Sequence, residues 1–140
     1  MFNEVLSHIN WLHVVVAAIA YFALGSVWYS PVLFAKKWMK LVNLDFNDPA
    51  IKKGMAVTMG GSFVFMFIIS FGLAVLLQIL PAVNALGGIK LGLLVGLTIS
   101  SATISINYLY TRKSLALYLI DCGYHVVGIA VAGAILAGWQ

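Results

Sequence analysis

Four long apolar runs separated by shorter polar segments dominate the chain. They extend from about Trp11 to Tyr29, Met55 to Leu80, Leu91 to Leu109 and Leu115 to Trp139. Each comes near the roughly 20 residues that carry a helix across about 30 Å of hydrocarbon. Backbone polar groups have no water to bond in lipid, so a spanning segment must be a helix or a strand of a closed barrel. Barrel strands are about ten residues long and alternate in polarity. These runs are longer and continuously apolar, so helices are predicted. The expected fold is all-α: a single four-span domain over residues 1–140, an integral membrane four-helix bundle.

The connections differ in kind. After Pro31, which stops the first run, Phe34, Trp38, Leu41 and Val42 fall on one helical face, and Lys36, Lys37 and Lys40 fall elsewhere. That pattern predicts a short amphipathic helix lying in the interface between helices 1 and 2. Asn47-Asp48-Pro49 reads as a turn and helix start, with Asp48 as N-cap. The other two connections, around residues 82–88 and Thr111–Ser114, are short, so consecutive helices are antiparallel neighbours.

Composition agrees with lipid as the solvent. Hydrophobic residues make up 63% of the chain and charged residues 9%, against roughly 45–50% and about 25% in soluble domains. The net charge is +4, but the basic residues sit beside apolar runs. Anionic lipid headgroups are therefore the expected partners, and nucleic acid is not. Lys36, Lys37, Lys40, Lys52, Lys53, Arg112 and Lys113 flank one membrane face, and Lys90 alone flanks the other. Basic short loops stay in the cytoplasm. Both termini are thus expected outside a bacterial inner membrane, with no cleaved leader. Cys122 is the single cysteine and reads as a small buried hydrophobe.

Small residues let membrane helices approach closely. In the third run Gly92, Gly96 and Ser100 recur at four-residue steps and continue into Thr103 and Asn107. The fourth has Gly128 and Ala132. Helices three and four are expected to be the tight pair.

Asp121 carries the most information. A carboxyl group inside a membrane helix costs a few kcal/mol and normally faces protein or water. His125 lies four residues on, on the same face, with Tyr124 beside it. Such a pair can relay protons or bind a cation. It can equally be a structural knot in which Asp121 bonds hydroxyls of helix three, with Ser101, Thr103 and Ser105 at similar depth. His13 sits near the opposite surface, beside Trp11, about 20 Å from His125 at ~1.5 Å per residue. That separation argues against two axial haem ligands at one level within one chain, and no cofactor is expected. No metal-spaced ligand set, phosphate loop or nucleophile elbow is present, so no catalytic residue is assigned.

Trp28-Tyr29-Ser30-Pro31 closes the first run, with Leu33-Phe34 and Lys37-Trp38 after it. Trp and Tyr favour headgroup boundaries, so the stretch reads as a helix exit anchored in the interface, with Ser30 free to bond released backbone groups and Pro31 breaking the helix. Together with Ile9-Asn10-Trp11-Leu12, Gly25 and Gly123-Tyr124-His125-Val126-Val127-Gly128, it resembles the bacterial membrane family known as domain of unknown function 1761. The resemblance covers nearly the whole chain and implies a small four-helix membrane protein with no assigned activity. Two functional expectations stand. One is a homo-oligomeric transporter or channel with Asp121 and His125 lining its path. The other is a non-catalytic accessory, scaffold or lipid-binding protein that partners another membrane protein or lipid.

Overall fold

The computed structural model describes residues 1–81 and 83–139; residue 82 of the expected second connection and residue 140 of the expected domain lie outside them. All regular elements among the described residues are helical. In order they are α1 (Phe2–Ser7), α2 (Trp11–Trp28), α3 (Ala35–Val42), α4 (Pro49–Ile79), α5 (Ala85–Val95), a π-helical segment (Gly96–Ser100), α6 (Ser101–Tyr110) and α7 (Leu115–Gly138). Four stretches are long and apolar enough to cross a membrane: α2, α4, the continuous Ala85–Tyr110 rod and α7. The chain is a four-helix membrane bundle, with the short α3 between its first two spans.

Polar caps fix where the helices start. Asn10 Oδ1 accepts from the backbone of Leu12 and His13, Asp48 Oδ1 from Ala50, Asn84 Oδ1 from Gly87 and Ser114 Oγ from Leu117. Proline at the first turn of α4 adds a preset backbone angle. These caps lie upstream of the apolar runs, so α4 takes in Lys52 and Lys53, and α5 takes in Lys90. Hydropathy marks the hydrocarbon, whereas caps mark the helix. The six-residue α1 has no apolar periodicity to announce it.

The fourth span is the axis of the bundle. Half of its most apolar stretch is buried, against 17% for the Ala85–Tyr110 span. Its closest partner is α5. A Cβ placed on Gly92 would lie 2.6 Å from Ala130 Cα and from Ile129 O, and one on Gly96 would lie 2.9 Å from Val126 Cα. Gly88 and Gly133 meet backbone to backbone in the same seam. Gly128, by contrast, faces α2, where it makes room for the Tyr21 ring. Ala132 is fully buried in the core.

The expected face from Gly92 through Ser100 to Thr103 and Asn107 does not continue. Ser100 is only half-buried, and Thr103 and Asn107 are exposed. The π-helical segment is the reason. It absorbs about one extra residue, which turns everything after it by roughly 100° relative to a straight α-helix. The face carrying Gly92 and Gly96 is therefore continued by Ser101 and Tyr108.

Candidate functional site

The Asp121 carboxyl group lies on α7, about 10 Å from the end of the helix nearest the basic loops, at ~1.5 Å per residue. Three donors from three other parts of the chain meet on it. Tyr29, the C-cap of α2, donates its hydroxyl to Oδ1 at 2.6 Å. Trp38 on α3 donates Nε1 to the same oxygen at 3.0 Å. Tyr108 on α6 donates to Oδ2 at 2.5 Å.

The helix-three hydroxyls expected to meet Asp121 do not. Thr103 donates to Ile99 O in its own helix and Ser105 to Ser101 O. Ser101 is buried, and its hydroxyl has no hydrogen-bond partner among the described residues. Serine and threonine reach the preceding turn of their own helix more easily than a neighbouring helix. Tyrosine and tryptophan carry their donors further out, and so span the gap.

Trp28 and Tyr29 also correct the expected headgroup anchor, since both donate inward. Trp28 Nε1 bonds Ile120 O at 3.0 Å, and its indole lies over Gly123, where a Cβ would sit 3.2 Å from the ring. Ser30 acts through its backbone: its carbonyl accepts from Leu33 and Ala35 at 3.1 Å. Pro31 is exposed just beyond.

One turn further along α7 a second polar cluster forms. The Tyr21 hydroxyl bonds His125 Nδ1 at 2.6 Å. Tyr124 donates its hydroxyl to Tyr21 O at 3.1 Å, with its ring packed against Gly25. Asp121 and His125 share a face of α7, but each bonds its own partners. The stretch from Tyr21 to Tyr29 thus docks directly onto the stretch from Ile120 to Gly128, each aromatic entering a place left by a glycine of the other helix or bonding its polar groups.

A groove of about 620 Å³ adjoins this cluster. Phe22 and Gly25 of α2, Trp38 of α3, and Met55, Met59 and Phe65 of α4 line it, with Tyr124 and His125 contributing from α7. Met59 and Phe65 remain largely exposed at its rim. The groove exists because α4 contributes buried side chains only from Met66 onward. Near its start α4 stands off the bundle, and Gly54, Gly60 and Gly61 face open space.

At the opposite end, His13 stacks on Trp139 at 4.4 Å, while Trp11 stacks on Phe67 and Phe71. The expected His13–Trp11 neighbourhood is replaced because residues two apart on a helix point in different directions. Among the described residues, no group of three or more His, Cys, Asp or Glu side chains comes together.

Sequence reasoning found Asp121, Tyr124 and His125 but missed Tyr21, Trp38 and Tyr108 as their partners. The available signal was depth. A membrane-embedded carboxyl group needs donors at its own level, and aromatic donors flank the basic ends of the first and third spans.

A family model described as "Protein of unknown function (DUF1761)" matches residues 12–137. No curated protein and no solved structure matches the chain.

Proposed function

We propose, for a chain that belongs to the DUF1761 family, that this multi-pass membrane protein binds a lipid-like molecule in the groove between α2 and the first half of α4. The groove of about 620 Å³ carries this reading. It lies at membrane depth, its walls are apolar, and a few polar groups stand at its floor. Ligand sites have that construction, with apolar walls for affinity and sparse polar groups for orientation. The basic residues at one end support a bacterial inner-membrane orientation with both termini outside, and lipid supplies the ligand from the side.

Native mass spectrometry of protein released from mild detergent tests the proposal. The wild type is expected to retain a bound molecule that Met59→Trp, which fills the groove, releases. A bare wild-type chain, or the same adduct on both proteins, would overturn it.

One observation favours a second reading, transport by a homo-oligomer. The Asp121 cluster and the Tyr21–His125 pair set hydrogen-bonding groups at two successive depths along one face of α7. A path between subunits could use them. In Asp121→Asn the amide oxygen still accepts from Tyr29 and Trp38, so the protein stays folded while the ionisable group is lost. Flux of protons or cations into proteoliposomes should then disappear, and unchanged flux sinks this reading.

A further inference from the structure

The His125 ring lines the groove, and only one of its nitrogens is engaged. Nδ1 is taken by the Tyr21 hydroxyl at 2.6 Å. Nε2 has no hydrogen-bond partner among the described residues. The Tyr21 hydroxyl has no other acceptor among the described residues, so it is assigned as the donor to Nδ1, which leaves the proton of the imidazole on Nε2. The groove therefore offers the His125 N–H in a mainly apolar space: of the other polar groups in its lining, Thr58 and Ser62 donate within α4, Tyr29 and Trp38 donate to Asp121, Tyr124 donates to Tyr21 O, and Ser26 adds one hydroxyl.

Depth restricts what can accept from it. His125 is ten residues into α7, about 15 Å from its basic end at ~1.5 Å per residue and so near the centre of a hydrocarbon core about 30 Å thick. The ester carbonyls and phosphate of a phospholipid lie at the interface, and dragging a charged headgroup to mid-depth is costly. An acyl chain would reach His125 but leave its N–H unpaired, which costs free energy in lipid. The matching group is an uncharged acceptor on an otherwise apolar molecule. The walls add a shape preference. Phe22, Trp38 and Phe65 contribute aromatic rings and Met55, Met59 and Met66 contribute thioethers to the lining, and both favour contact with a planar ring.

Resting on the groove reading above, we propose that the occupant is a flat, carbonyl-bearing ring on an apolar tail, the chemistry of an isoprenoid quinone. His125 Nε2–H donates to one ring carbonyl, and Tyr21 holds the imidazole in the tautomer that lets it do so. The tail leaves past Met59 and Phe65 into the bilayer.

The test is native mass spectrometry of the full chain titrated with decylubiquinone, in competition with phosphatidylglycerol. The wild type is expected to bind one decylubiquinone saturably, in preference to phosphatidylglycerol. His125→Phe, which keeps a ring but removes the donor, should weaken binding about tenfold, and Met59→Trp should abolish it. Decylubiquinone binding unchanged in His125→Phe but lost in Met59→Trp would overturn the His125 hydrogen bond from which the quinone was inferred and leave the groove reading intact. A phospholipid that Met59→Trp releases and decylubiquinone never displaces from the wild type would overturn the quinone assignment itself and likewise leave the groove reading intact. If neither molecule binds the wild type, both readings fall. The wild-type competition needs no variant, so it decides the question even if His125→Phe fails to fold.

Discussion

Asp121→Ala is expected to destabilise the folded protein by on the order of 3 kcal/mol. The loss has two parts. Three hydrogen bonds to the Asp121 carboxyl group disappear, and the Tyr29, Trp38 and Tyr108 donors are left in a setting where water is scarce. The cost falls short of three separate bonds because the site is only partly buried and the freed side chains can turn elsewhere. Asp121→Asn should lose less, since one amide oxygen can still serve both Tyr29 and Trp38 and only Tyr108 faces the wrong group. Unfolding in mixed micelles with increasing dodecyl sulfate ranks the two variants. An alanine variant within about 0.5 kcal/mol of wild type, the range of an ordinary surface change, would mean the cluster holds nothing together.

Gly92→Leu is expected to be at least as severe, about 3 kcal/mol or more, for an unrelated reason. The new side chain would start 2.6 Å from the backbone of α7 at Ile129 and Ala130. Backbone cannot turn aside as a flexible side chain can, so α5 must move off α7 as a body. Gly60→Leu is the matched control. It adds the same side chain to a membrane helix where nothing lies within 4 Å, and its stability should stay within about 0.5 kcal/mol of wild type. Equal stability of the two variants in the same titration would remove close glycine packing as a basis for the fold.

The sequence made the number of spans, the amphipathic α3 and the pairing of helices three and four legible, because each follows from hydropathy, periodicity or residue size. It identified Asp121 and His125 because polar groups are conspicuous in apolar runs. Their partners were not legible for two reasons. Tyr29 and Trp38 stand where interfacial aromatics normally stand, and a side chain's direction at a helix end depends on tertiary packing. Tyr108 was hidden by the π-helical segment. A regular helix places it about 120° from the Gly96 face, and an inserted residue brings it back to within about 20°. No residue among Gly96–Ser100 signals that insertion. The same segment explains why Thr103 and Asn107, which extend the glycine face on a regular helix, point away from it.

The Asp121 cluster also bears on how the protein is made. Tyr29 and Trp38 precede their shared acceptor by 92 and 83 residues. At roughly 5–20 residues per second of synthesis, they wait on the order of ten seconds after leaving the ribosome before Asp121 follows. During that interval the first two spans have entered the bilayer without the acceptor that later holds α3 in place. The contact that ties the amphipathic segment to α7 therefore forms only once α7 is made. Arrival of α7 closes the cluster, and a nascent protein stopped after α4 would leave these donors free for the quality-control machinery of the membrane to detect.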